Sequence, residues 1–258
     1  MKPLLPLLLL MTFVPNGVQA EPQSGFKIFS MNLHCFEADW KKRFETVLAR
    51  LAPEDIAVYA FQELCIGSQG DQVAYLSRRI RELHPGAWSS NSVFTHRAWD
   101  KYDELLLIMA RGSSLSVRSA LLPFSPLRRG FVSIQFEGAW FVNTHLEYHE
   151  DNSAFRLEQI GHLVNEFDAQ PGIIMGDFNS SPNMDEQAPF RQALYKSQFP
   201  GPTFPASDPE MAIDGFWLSP QMNKRVRPLS VQRLFGPGSE DGIQSDHLGV
   251  LLEIESRQ

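Results

Sequence analysis

The chain has 258 residues, a formal net charge of −7 and two cysteines. Its length suits one large α/β domain or two small ones with a substantial core. The acidic balance argues against tight, indiscriminate nucleic-acid binding, which Lys and Arg drive by neutralising phosphates; an anionic substrate would need local help from a bound metal and a few arginines.

In chain order, residues 1–20 come first as a segment apart. Lys2 gives a positive start, Leu4 to Val14 a short apolar run interrupted by Pro6, and Val18-Gln19-Ala20 a small-residue cleavage site. A bilayer span takes about 20 apolar residues, so this stretch reads as a cleaved signal peptide. The expectation is a protein exported to a periplasm or secreted, with no stable membrane span. The mature chain, 21–258, is expected to be a single domain and a monomer.

Strand-like and helix-like runs then alternate. "FKIFSMNL" (26–33) reads as a strand, "DWKKRFETVLARL" (39–51) as a helix, "IAVYAFQ" (56–62) as a strand, and "DQVAYLSRRIREL" (71–83) as a helix opened by a capping aspartate. Cys35 and Cys65 each lie just beyond one of these strands. If the strands are neighbours, an exported protein can join the two cysteines; the alternative is a pair of small buried residues. The stretch 84–102, with Trp88, Phe94 and Trp99, reads as a loop, either packed or available to a nucleic-acid strand or a membrane. "ELLLIMA", "LSVRSALL", "FVSIQFE" and "AWFVNTHL" follow as an antiparallel meander with a tight turn at Glu137-Gly138. An amphipathic helix (152–167), a buried strand "GIIM" (172–175) and a long surface excursion (180–211) with a short helix near Phe190 come next. The strands "AIDGFWLS", "VRPLSVQRL" and "LGVLLEI" close the chain.

Polar residues stand where these strands end. They are Asn32, Glu63, His145, Asp177 with Asn179, Asp214 inside "AIDGFW", and Asp246-His247 before the last strand. Each alone has a local explanation as a cap, turn or strand terminus. As an ordered set they gather where α/β folds place functional groups. Asp214, flanked by Ile213 and Phe216, is the hardest to explain locally, because buried acids are almost always paired.

The segments "MNLH", "FQEL", "NTHLEY", "GDFN", "IDGFWLSP" and "SDH" resemble, in order, the endonuclease/exonuclease/phosphatase superfamily. That group includes deoxyribonuclease-I-like nucleases, abasic-site endonucleases, inositol-polyphosphate phosphatases and neutral sphingomyelinases. The resemblance runs from Lys27 to Glu255. It implies an α/β (mixed α+β) fold, a four-layer α/β/β/α sandwich of two facing mixed sheets. It also implies an enzyme hydrolysing phosphate esters by in-line water attack.

The catalytic residues so implied are His145, Asp177, Asn179, Asp214 and His247. Asn32, Glu63 and Asp246 would hold Mg²⁺ or Mn²⁺, cations suited to hard oxygen ligands. Asp214 would orient His247, which acts either as base or as donor to a phosphate oxygen, with Asp177 the other candidate base. His34 and Arg156 are read as substrate contacts; a loop hydrogen bond and a helix-surface ion pair are the respective alternatives. "YDELLLIMA" departs from the family's Gly-Asn-Ala-like segment, and Arg97, Arg128 and Arg129 read as ordinary surface charges, with contact to an anionic substrate as the alternative. The expected substrate is nucleic acid, with a phospholipid or inositol phosphate head group as alternatives. An inactive binding protein of the same fold is disfavoured by the intact residue set.

Overall fold

The computed structural model describes residues 25–113, 116–123 and 126–257, so the leader read over residues 1–20 lies outside the described chain. In the first sheet, β1 (Gly25–Asn32) pairs parallel with β2 (Ile56–Gly67) and antiparallel with β13 (Gly249–Ser256). β12 (Val226–Leu234) flanks β13, and β5 (Tyr102–Arg111) then β4 (Trp88–Ala98) flank β2. A two-residue strand, β3 (Gly70–Asp71), also pairs with β2. In the second sheet, β6 (Val117–Leu121), β7 (Gly130–Phe136) and β8 (Ala139–His145) form a three-stranded meander; the expected first strand, "ELLLIMA", is instead β5, paired with β2 and β4 in the first sheet. β9 (Gly172–Asp177) joins β8 in parallel, and β11 (Asp214–Leu218) and β10 (Lys196–Gln198) complete that sheet.

Side-chain alternation decides the layering, since successive strand residues face opposite ways. Ile28, Val58 and Ala60 turn inward and meet Phe141, Ile173, Met175 and Phe216 of the facing sheet. Their neighbours Phe29, Met31, Tyr59 and Phe61 turn outward under α1 (Trp40–Leu51) and α2 (Gln72–Leu83). On the far side, Val142, Ile174 and Trp217 pack under α3 (Ser153–Phe167) and α4 (Ala188–Gln192). The result is the expected α/β/β/α sandwich. Apolar burial drives it, at about 25 cal/mol per Å² removed from water.

Local signals agree with the global one. The Asp71 carboxylate caps α2 by accepting from the Ala74 N–H at 2.8 Å. Glu137 and Gly138 both take positive φ, 48° and 72°, as a two-residue hairpin turn requires. A short helix, α5 (Pro220–Arg225), was not expected and is capped by Ser219. The stretch 84–102 is corrected: it is no loop but the edge strand β4, hydrogen-bonded along β5 and turning near Trp99. No helix among the described residues is long and apolar enough to cross a membrane.

Candidate active site

Two parallel pairs, β1/β2 and β8/β9, end on the same side of the sandwich and bring their terminal polar residues together. Strand register sets the order: Asp177 lies opposite His145 on one side and opposite Asp214 on the other. Gly176 makes this possible. Its φ is +132°, and a Cβ there would stand 2.0 Å from the Thr144 carbonyl oxygen.

In β2, a bulge between Phe61 and Leu64 re-aims the chain. Glu63 takes a φ of 52°, which costs about 1–3 kcal/mol for a residue with a Cβ. The bulge lets Gln62 bridge inward to Asn143 at 2.6 Å while Glu63 lines the cleft and Leu64 still packs outward. Cys35 and Cys65 are joined by a disulfide with Cα atoms 5.1 Å apart, tying the loop after β1 to the strand beyond Glu63.

The centre of the cluster is Asp177, 1% exposed. Its Oδ1 accepts from the Asn179 N–H at 2.9 Å and its Oδ2 from the Asn32 amide at 3.1 Å. The same Asn32 nitrogen donates to Glu63 Oε1 at 2.9 Å. The Nε2 atoms of His145 and His247 approach Asp177 Oδ2 at 3.5 and 3.6 Å. Burial, helped by Asp214, pushes the Asp177 carboxyl up to about 7, against the pull of His247, the Asn179 N–H and Asn32.

His247 is held from behind. Its Nδ1 donates to Asp214 Oδ2 at 2.9 Å, and the Thr203 hydroxyl donates to the same oxygen at 2.6 Å. Burial alone would lower its pKa, but the charges of Asp214 and Asp177, the Asp214 hydrogen bond and Asp246 together push it up to about 10. Phe204 packs against the ring, centroids 4.7 Å apart.

His145 has the opposite environment. Arg129 donates from Nη1 to its Nδ1 at 3.1 Å, so the ring is neutral with its proton on Nε2, facing Asp177 and Glu63. Burial, then the charges of Arg129 and His247, hold it well below the ordinary imidazole range. Arg129 is 3% exposed and pairs with Glu104 at 3.5 Å, which corrects its reading as a surface charge. Burial and Glu63 push the Glu104 carboxyl up to about 8 although Arg129 lies beside it.

The remaining expected residues divide. Asp246 lines the same cleft, as does His34, whose Nδ1 stands 3.3 Å from Asp246 Oδ1. Asn179 lines it too, with its side-chain amide donating to the Leu146 carbonyl. Arg156 stands outside the cleft. It is 4% exposed, pairs with Glu186 at 2.9 Å, and gives its other N–H groups to the carbonyls of Glu147, His149 and Glu150. It shapes the loop after β8 rather than meeting the centre. Glu104, Arg129 and Thr203 are the participants sequence reasoning missed. For Glu104 a signal existed: an acid at the head of the apolar run "ELLLIMA", mirroring Glu63 beyond "IAVYAFQ".

No protein-family model and no curated protein matches the sequence. Solved structures do match the architecture. An endonuclease/exonuclease/phosphatase family protein from Leptotrichia buccalis C-1013-b superposes with a TM-score of 0.74 at 16% identity, over 90% of this chain and 100% of that one. The chain has the endonuclease/exonuclease/phosphatase fold. The same fold is shared with the human Nocturnin catalytic domain with bound sulfate anion, at a TM-score of 0.68 and 16% identity, over 92% of this chain and 97% of that one. It is shared as well with D. rerio TDP2 complexed with single strand DNA product, at 0.66 and 18%, over 90% and 99%. The Asp177 cluster lies at strand ends of both sheets, with Asn32 and Glu63 from one and His145 and Asp177 from the other.

Proposed function

We propose that the protein is an exported, divalent-metal-dependent phosphodiesterase that hydrolyses nucleic acid by water attack at phosphorus. The observation that carries this reading is the pair of imidazoles held from behind by opposite charges, His247 by Asp214 and His145 by Arg129, both aimed at one buried carboxylate, Asp177. Such a pair can hold two oxygens of one phosphate by donation while the carboxylate between them takes a proton from water.

The donor set fits a hard cation. Five carboxylates (Glu63, Glu104, Asp177, Asp214 and Asp246) surround the cleft against the charges of Arg97, Arg129 and His247. Buried Asp214 Oδ1 lacks a hydrogen-bond partner among the described residues, and Glu104 Oε1 has only the 3.5 Å approach of Arg129. Asp177, Asp214 and His247 offer ligand atoms within 4.8 Å of one another. Asp214 Oδ2, however, already accepts from His247 and Thr203, so we assign the cation to Glu63 and Asp246, which line the cleft, with Asn32 holding Glu63 by its side-chain N–H. Mg²⁺ or Mn²⁺ bound there supplies charge neutralisation for the phosphoryl oxygens.

The chain's own residues supply the rest. His247, held as a cation by Asp214, donates from Nε2 to a phosphoryl oxygen. Asp177, poised near neutrality, orients the attacking water and takes its proton. His145 donates from Nε2 toward the departing oxygen, and Asn179 fixes the phosphate at the cleft's edge. Nucleic acid as substrate is supported by Arg97 and the exposed Trp99 on the cleft wall, and by the likeness to D. rerio TDP2 with its single-stranded DNA product. Export is supported by residues 1–20 and by the disulfide, a bond that oxidising compartments preserve.

The test is hydrolysis of bis-p-nitrophenyl phosphate with Mn²⁺, with chelator, and by His247→Ala. Chelator should abolish turnover and the substitution should lower it ~10²–10⁴-fold. Equal rates for wild type and variant would overturn the reading.

A further inference from the structure

Beyond Tyr148 and Asn179 the reaction cleft opens into a second cavity of about 940 Å³. Its lining differs sharply from that of the first. Tyr148, Met184 and Met211, 55%, 52% and 45% exposed, give it an apolar surface. Glu150 and Asp185 line it without an ion pair among the described residues, whereas Glu186 is neutralised by Arg156. Two basic side chains stand in the lining: Arg156 has its N–H groups taken by Glu186 and backbone carbonyls, and His149 has its Nδ1 3.6 Å from the Asp151 carboxylate.

The other wall of the reaction cleft is of opposite character. Arg97 and Arg129 line it, together with Trp99, which is 66% exposed beside His34. Asp103 lies across the hairpin from Arg97 but does not line the cleft. An exposed indole next to a guanidinium is the combination on which an unpaired base stacks while its phosphate is neutralised.

A nucleic-acid strand that ran through both regions would carry a phosphate past Glu150 and Asp185, two carboxylates with no ion pair among the described residues, set among His149 and uncharged Ser and Asn side chains. A terminal nucleoside with a free hydroxyl carries no charge and has an aromatic base. It suits a cavity with an exposed tyrosine face and two thioethers, and 940 Å³ is within the range of pockets that enclose small molecules. We propose that the enzyme acts at strand ends: the polyanionic remainder lies along the Arg97–Trp99 wall, and the uncharged terminal nucleoside enters the Tyr148–Met184 cavity. This rests on the phosphodiesterase reading above and names its substrate as a single-stranded end with a hydroxyl terminus.

The test uses the purified chain with Mn²⁺ and four versions of one single-stranded oligonucleotide: hydroxyl at both ends, 5′-phosphate, 3′-phosphate, and circular. Release of the terminal unit from the hydroxyl form is expected, with the circle resistant. A phosphate on one of the two ends should slow release roughly tenfold, the scale that two screened like-charge contacts give. In Glu150→Gln/Asp185→Asn the ratio of hydroxyl-end to phosphate-end rates should fall toward one. Cleavage of the circle at the linear rate, or a ratio unmoved by the double substitution, overturns the proposal. Hydrolysis of bis-p-nitrophenyl phosphate without cleavage of any oligonucleotide also overturns it while leaving the phosphodiesterase reading standing. Failure on every ester removes both.

Discussion

Glu104 shows what a single buried acid costs this protein. Its carboxyl is pushed up to about 8 by burial and by Glu63, and Asp177 up to about 7 by burial and Asp214. In the unfolded chain both ionise near the ordinary carboxylate range, so between those limits the native state binds more protons than the unfolded one. Stability contributed by these groups is therefore complete at low pH and is lost as pH rises through the folded-state values. Glu104→Gln removes one of the two. Relative to wild type, the metal-free variant should gain stability as pH rises from about 5 to 8, by at most about 1.4 kcal/mol per pH unit. Chemical denaturation at several pH values measures this, and a difference independent of pH would contradict it. The acids and imidazoles at strand ends were legible because a polar residue closing an apolar run is conspicuous. Arg129 was not, since charged residues are ordinarily exposed and its burial arises only from pairing with His145 and Glu104.

At the scale of elements, two backbone irregularities set the site. The β2 bulge turns Glu63 into the cleft, and Gly176 lets β9 approach β8 closely enough to seat Asp177 between His145 and Asp214. Gly176→Ala meets both a carbonyl oxygen and a φ that side chains rarely adopt. It should cost about 3 kcal/mol or more from overpacking and strain, lowering the melting temperature by roughly 6–12 °C. An unchanged melting point would mean that the strand can shift without penalty. Most strands and the three long helices were readable from periodicity. β4 was not, because its run "SSNSVFTHR" carries Ser, Asn and His at an exposed edge, where alternation leaves few apolar residues to see. α5 spans six residues, too short for a helical period to register.

For the whole molecule, the disulfide is the covalent tie across the site. It closes a loop with a sequence separation of 30, and chain-entropy loss on that scale is worth about 3–4 kcal/mol. Cys35→Ser/Cys65→Ser should unfold at correspondingly lower denaturant, and it should lose affinity for metal as the His34 loop and the Glu63 strand separate. A double variant as stable as wild type would show that the packing around Cys35 and Cys65 suffices alone. The order of elements made a single α/β domain legible, and only the family resemblance implied its four layers. Which face each carboxylate would meet was not, because that depends on register and the bulge.

The central claim is that the crowded carboxylates await one divalent cation held by Glu63. Calorimetric titration of the chelator-treated protein with Mn²⁺ at pH 7, in two buffers of different ionisation enthalpy, tests it most directly. One ion per chain is expected, with protons released as Glu104 and Asp177 lose their raised pKa values, and at least about tenfold weaker binding in Glu63→Ala with the fold retained. Equal Mn²⁺ affinity in wild type and Glu63→Ala, with no proton released, would contradict it.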